Sequence, residues 1–171
     1  ALKTSLFSDI AKDYVGEIIV ANLGVQREVY EIETNKYLLD ESDMKLPFRN
    51  KKNAHKGTYG HLNVYVGDKK GAGIISSKAA FGFGVGLVSA ISHENLDLPY
   101  HIMQTQNISE NCTAIAIGMG LGKYETNEIR EILNSKIPKI IDADLFYDKI
   151  VLECFNQEVV LTPHPKEFVS L

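Results

Sequence analysis

The chain has 171 residues, of which 44% are hydrophobic and 23% charged, with a formal net charge of −4. That balance suits a folded globular protein and gives no electrostatic footprint for nucleic acid. No apolar run approaches the roughly 20 residues needed to cross a bilayer, and no charged segment leading into an apolar one marks a signal peptide.

The predicted elements begin with Tyr14–Leu23, where Val15, Ile18, Ile19 and Val20 lead to Asn22 and Gly24, a strand-then-turn pattern. Residues 26–46 are weakly patterned, with a possible helix cap at Glu41-Ser42-Asp43 that Pro47 soon cuts short. The run PFRNKKNAHKG, residues 47–57, is basic, polar and bounded by Pro and Gly. It reads as a solvated linker between domains, with phosphate binding the lesser alternative because no helix start or glycine nest accompanies the charges.

From residue 58 the pattern becomes regular. Strands are predicted at His61–Val66, Leu87–Ile91, Thr113–Ile117, Ile137–Ile141 and Val159–Leu161. Helices are predicted at Ala72–Phe83 and at Thr126–Asn134, where Ile129, Ile132 and Leu133 share one side. Strands that are apolar throughout and alternate with helices indicate βαβ units and a mainly parallel sheet with helices on both faces, an α/β fold. The two cysteines, Cys112 and Cys154, lie far apart in no metal-binding spacing, as expected of reduced thiols in a cytoplasmic protein.

In such sheets ligands bind beyond the carboxyl ends of the strands, and chemistry-bearing residues collect there. Gly118, Gly120 and Gly122 follow one strand, where glycine lets backbone N–H groups approach a ligand or simply allows a tight turn. Asp142 and Asp144 flank Ala143 after the next, so in an extended chain both would point the same way and could hold a cation or orient a hydroxyl; alternatively one caps the next helix. His164 and Glu167 stand three apart after the last strand, with the histidine rigidly placed between Pro163 and Pro165 and favoured for substrate contact; a metal pair lacks a third ligand. Gly71-Ala72-Gly73 with Ser76 is a degraded dinucleotide fingerprint, and Glu94 lies roughly twenty residues on, where a ribose-binding acid belongs. His55, His61, His93 and His101 show no common geometry and read as surface or structural residues.

Five segments together resemble the ADP/ATP-dependent NAD(P)H-hydrate dehydratases, whose domain has the ribokinase-like fold. They are HKGTYGHLNVYVG (55–67), GAGIISSKAAFGFGVGLVSAI (71–91), TAIAIGMGLG (113–122), IIDAD (140–144) and LTPHPKEF (161–168). Ahead of them, DYVGEIIVANLGV (13–25) resembles the closing strand of the NAD(P)H-hydrate epimerase domain of two-domain bacterial repair enzymes. The resemblance implies residues 1–46 as the tail of an epimerase domain, 47–57 as a linker, and 58–171 as the N-terminal part of a dehydratase domain. It implies that a nucleotide, ADP or ATP with Mg2+, phosphorylates the hydroxyl of hydrated NADH or NADPH, after which phosphate is lost and the cofactor restored. By carry-over, Ala72, Gly120 and Gly122, together with His164, Pro165, Lys166, Glu167, Phe168, Val169 and Ser170, would line the substrate site, with Asp142 and Asp144 beside it.

The chain departs from the family pattern at Met119, Tyr147 and Lys166, and it contains no Gly-x-Gly-Asp, the motif expected to supply the general base. It begins at Ala1 rather than Met and stops soon after the His164 motif, so we expect a fragment that is inactive alone and needs the remaining C-terminal part of the same protein, in an assembly of several copies. The alternatives are a ribokinase-like kinase of a carbohydrate or hydroxymethyl heterocycle, a non-catalytic nucleotide-binding domain, and an oxidoreductase built on Gly71-x-Gly73.

Overall fold

The structure, a computed structural model, describes residues 3–21, 23–30 and 33–171. Contacts divide the chain into two compact units, Ala1–Lys45 and Leu46–Leu171. In the first, the described residues form short 3₁₀ segments at Thr4–Phe7, Arg27–Val29 and Glu41–Asp43, the last capped by the side chain of Asp40, and hydrogen-bonded turns over residues 9–14. The strand predicted over Tyr14–Leu23 does not form among the described residues, and Asn22 lies outside them. The reason is pairing: a strand needs a neighbour to take up its backbone groups, and the described residues of this unit offer none. Ile19 and Val20 are accordingly left 80% and 63% exposed.

The second unit holds a six-stranded sheet. In chain order its elements are β1 (His61–Tyr65), α1 (Lys70–Phe83), β2 (Leu87–Ile91), β3 (Met103–Thr105), β4 (Ala114–Ile117), α2 (Thr126–Asn134), β5 (Lys139–Ile141), β6 (Val159–Leu161) and α3 (Pro165–Ser170). The strand order is β3-β2-β1-β4-β5-β6, and every neighbouring pair is parallel. The predicted strands and helices of residues 58–171 are all present, with β1, β4 and β5 one or two residues shorter than expected. The sequence reading missed β3, an edge strand whose MQT carries no apolar run.

Alternation along the central strands sorts side chains onto two faces. Leu62, Val64, Val88, Ala90 and Ala116 face one cluster, against which Ala72, Ala80 and Phe81 of α1 pack. Tyr65, Ile115, Ile117 and Ile141 face the other, closed by Ile129, Ile132 and Leu133 of α2 and by Leu145, Phe146, Ile150, Val151 and Cys154. Each fully buried Leu, Ile or Phe contributes roughly 1.5–3 kcal/mol, so these two layers hold the sheet. The residues from Ala143 to Cys154 form two 3₁₀ segments, Ala143–Tyr147 and Lys149–Cys154, rather than a crossover helix. Arg49 donates to the carbonyls of Gly84 and Val85, both at 3.1 Å, and its guanidinium lies 5.1 Å from the Tyr59 ring centre, which fastens residues 47–57 to the α1–β2 turn. Among the described residues no helix is long and apolar enough to cross a membrane.

A polar trio interrupts the second face. His61, Asn63 and Ser89 are buried, with His61 Nε2 2.8 Å from Ser89 Oγ and the Ser109 N–H donating to Asn63 Oδ1 at 2.7 Å. Burial pushes the His61 imidazole below its ordinary range. As pH falls through about 6.5 the unfolded chain takes up a proton that the folded chain refuses, so this group withdraws stability toward acid. For one proton the slope is at most about 1.4 kcal/mol per pH unit. Urea midpoints measured downward from neutral pH should fall more steeply for the wild type than for His61→Gln; equal slopes would show that His61 titrates alike in both states.

Candidate functional site

Because all pairs are parallel and in register (Tyr65 with Ile91, Ile117 with Ile141, Ile141 with Leu161), the loops that follow the strands gather at one edge of the sheet. The loop after β1 and the loop after β4 are stitched together there. Asp68 N–H donates to Leu121 O and Lys69 N–H to Gly120 O, both at 3.1 Å, and Lys123 N–H donates to the Asp68 carboxylate at 2.9 Å. The strand order reverses direction between β1 and β4, the position at which ligands bind in sheets of this kind.

Gly118, Gly120 and Gly122 have φ values of +112°, +61° and +63°, so the backbone turn itself calls for glycine at each. Gly120 is also where close approach is needed: a Cβ there would sit 2.9 Å from the Cβ atoms of both Ala72 and Lys69. The structure thus brings Ala72 and Gly120 side by side, the two residues that the family resemblance assigns to one site.

The two aspartates take separate partners. Ala143 between them has φ +50°, a left-handed conformation uncommon for a residue with a side chain, and this breaks the extended run on which a shared direction depends. Asp142 Oδ1 instead accepts from the Thr162 hydroxyl at 2.8 Å, tying the end of β5 to the end of β6. Asp144 Oδ2 accepts from the Gly122 N–H at 3.1 Å and lies 3.7 Å from the Lys69 ammonium. Asp144 therefore holds the glycine loop, and it is Lys69 and Thr162, not singled out from the sequence, that complete the arrangement. The Lys69-Lys70 pair directly after a strand end was the available signal. No group of three or more His, Cys, Asp or Glu residues fit to hold a metal occurs among the described residues.

His164 is the N-cap of α3, with Pro165 at the first helical position. Its Nδ1 accepts from the Lys166 N–H at 3.1 Å, while Glu167 accepts the His164 backbone N–H at 2.9 Å and lies 3.2 Å from Nε2. Nδ1 is thus occupied as the capping acceptor, and Nε2 faces the Glu167 carboxylate. This is a reciprocal capping box, and it leaves the imidazole about half exposed above a buried carboxylate. The helix packs on the Ala143–Tyr147 segment, so His164 stands near the aspartate loops. Phe168 and Val169 are 69% and 86% exposed, facing away from the core, and the Ser170 hydroxyl returns to the Lys166 carbonyl at 3.2 Å.

A cavity of about 300 Å3 opens beside this arrangement, on the α2 side of the stitched loops, lined by Tyr65, Asp68, Lys70, His93, Glu94, Lys123 and Glu128 among others. None of the residues carried over from the sequence motifs lines it.

Comparison with known proteins places this geometry in a family. The NAD(P)H-hydrate dehydratase family model matches residues 63–171. The bifunctional NAD(P)H-hydrate repair enzyme Nnr of Helicobacter pylori is 45% identical over 177 residues, an alignment that covers all of this chain and 37% of that protein. The ADP-dependent (S)-NAD(P)H-hydrate dehydratase of Lactococcus lactis is 30% identical over 155 residues, covering 78% of this chain and 56% of the relative. The chain therefore spans a little over a third of the bifunctional relative's length. The crystal structure of a hypothetical protein from Streptococcus mutans superposes with a TM-score of 0.52 over 71% of this chain and 52% of that one, at 22% identity, a likeness of fold alone. The all-parallel sheet is that of the ribokinase-like carbohydrate kinases, and by sequence and fold the chain belongs to the NAD(P)H-hydrate dehydratase family.

Proposed function

We propose that this chain carries the substrate-facing part of a nicotinamide nucleotide repair enzyme. In this reading a nucleotide donates its terminal phosphoryl group to the hydroxyl that hydration placed on the dihydronicotinamide ring. The hydroxyl proton leaves, the phosphate ester forms, and loss of phosphate with a neighbouring proton restores the ring double bond. The observation that carries the reading is the convergence, at the carboxyl edge, of Ala72 against Gly120, the Gly122–Asp144 bond and His164, within the stretch matched by the family model.

Geometry supports the roles that this reading gives to individual residues. The positive-φ loop Gly118–Gly122 exposes backbone groups without side chains in the way, suited to close contact with a dinucleotide. The half-exposed imidazole of His164, fixed by its cap, contacts the same ligand, with residues 165–170 alongside. Asp142 and Asp144 position the loops and touch the ligand only through them or through water. No Gly-x-Gly-Asp occurs in the chain, so no general base is assigned among these residues. Among the described residues no cluster of His, Cys, Asp or Glu could hold a metal, so magnesium, in this reading, would travel with the nucleotide phosphates.

ADP is the first donor to test, since the Lactococcus lactis relative is named for it. Residues 1–46 fit the tail of an epimerase domain, in keeping with the bifunctional relatives; the rest of the same protein and further copies of it are the implied partners. The kinase alternative is tested alongside. With the full gene product, hydrated NADH should regain dihydronicotinamide absorbance only when nucleotide is present, and His164→Ala should weaken binding of hydrated NADH by about tenfold, roughly 1.4 kcal/mol. Accumulation of a stable phosphorylated carbohydrate, with no recovery of absorbance, would establish the kinase reading instead.

A further inference from the structure

The glycine loop has donors of the kind that hold anions, and the chain fills them itself. Gly122 has φ +63°, and a positive φ beside ordinary backbone turns successive N–H groups toward one side, the concavity in which many proteins bind phosphate. The successive donors here are the N–H groups of Gly122 and Lys123. Asp144 Oδ2 accepts from the first at 3.1 Å, and Asp68 Oδ2 accepts from the second at 2.9 Å. The two carboxylates arrive from different strands, Asp68 after β1 and Asp144 after β5. Asp68 lies directly against the loop, since a Cβ on Gly122 would fall 2.7 Å from both its Cβ and its Oδ2.

The loop carbonyls are used as well. Gly120 O and Leu121 O accept from the N–H groups of Lys69 and Asp68, both at 3.1 Å. Asp68 therefore meets the loop twice, through its own N–H and through its carboxylate. The Lys69 ammonium lies 3.7 Å from Asp144, which commits that cation to a protein carboxylate. A phosphate approaching the Gly122 and Lys123 donors would have to displace two carboxylates, and like charges at such distances repel strongly beside a protein surface. A carboxamide, a hydroxyl or a ring face meets no such penalty, and it gains from the bare backbone that glycine leaves.

We infer that Asp68 and Asp144 are specificity-determining residues. They fill the donor positions at which the glycine loop would hold a phosphate, so the loop admits the uncharged dihydronicotinamide end of the hydrated cofactor and turns its phosphates away. The identity of that ligand rests on the repair reading proposed above; the exclusion of phosphate does not.

Amide NMR of the full gene product reads the loop directly. The probes are inorganic pyrophosphate, hydrated NADH and the hydrated form of reduced nicotinamide riboside, which carries no phosphate. In the wild type, pyrophosphate should leave the Gly122 and Lys123 signals unmoved, while hydrated NADH and the hydrated riboside should shift the Gly118–Gly122 signals alike. When Asp68→Ala and Asp144→Ala are combined, pyrophosphate should move both signals and bind roughly tenfold or more tightly than before, the scale of a charge-assisted hydrogen bond gained. Signals moved by pyrophosphate in the wild type, no gain in the double variant, or a loop that answers to hydrated NADH but not to the riboside would overturn the inference. If the double variant loses its fold by circular dichroism, Asp68→Asn decides: it keeps an acceptor oxygen and removes the charge, so a smaller gain for pyrophosphate supports the inference and none defeats it. A loop that ignores both hydrated compounds, with the pyrophosphate results as expected, would sink the repair reading and leave phosphate exclusion standing.

Discussion

Gly118→Ala should destabilise the sheet unit by roughly 4 kcal/mol, a sum of two effects of similar size. A residue with a Cβ at φ +112° enters a conformation reserved for glycine, at about 1–3 kcal/mol. The new Cβ would also fall 1.9 Å from the Asp142 carbonyl oxygen and 3.2 Å from its nitrogen, and overpacking against neighbours that cannot yield adds about 1–3 kcal/mol. The neighbour is backbone at the end of β5, so no rotamer change relieves the contact. Relief requires β4 and β5 to part, which strains the Asp142 N–H bond to Ile117 O and the Asp144 N–H bond to Gly118 O. Against a total stability of about 5–15 kcal/mol, thermal unfolding should drop by roughly 10 °C. The same shift pulls Asp144 from Gly122, so a variant that still folds should bind hydrated NADH more weakly. An unchanged melting temperature would mean that the β4 and β5 loops are not in the contact described.

The legibility of each element depends on where its requirements lie. β1, β2 and β4 are visible because burial on both faces demands mostly apolar runs, and α1 and α2 because small and apolar residues, Ile129, Ile132 and Leu133 among them, repeat at helical spacing. β3 is polar and short, and it exists because β2 offers Ser89, Ala90 and Ile91 as register partners; nothing local announces it. The predicted strand at Tyr14–Leu23 fails for the converse reason, since its local signal has no partner in the described part of its unit. At the site, the glycine loop and His164 were readable because their requirements are backbone ones, stated by Gly and Pro. The divergence of Asp142 and Asp144 was not, because it hinges on the positive φ of Ala143, which no residue type advertises. The Tyr65–Glu128–His93 cluster is assembled from positions 65, 93 and 128, a juxtaposition that only the parallel register creates.

Lys139→Met should cost the sheet unit about 3 kcal/mol, although it replaces a charge with an apolar group of similar length in an interior position. The reason is the set of acceptors that the ammonium leaves behind. Lys139 is only 2% exposed, at the start of β5 where it faces inward, and its Nζ donates to Ser135 O at 2.5 Å, Ile137 O at 2.8 Å and Gln157 Oε1 at 2.8 Å. The Ser135 and Ile137 carbonyls lie in the turn after α2, where carbonyls have no partner within the helix; Gln157 precedes β6. The lysine thus joins three elements at the amino edge of the sheet, opposite the candidate site. Swapping all partners for apolar groups can be nearly neutral, but removing one side leaves the others unsatisfied, at about 1–3 kcal/mol per buried group. Hydration of the exposed members lowers the sum. Adding Gln157→Leu to Lys139→Met should therefore recover part of the loss, since it removes one stranded acceptor, whereas Gln157→Leu alone should destabilise by leaving an ammonium proton unmet. Denaturant unfolding of the four proteins forms a double-mutant cycle, and a coupling of about 1 kcal/mol is expected. Strict additivity would place the role of Lys139 in its hydrocarbon stem rather than in the joint it makes between α2, β5 and β6.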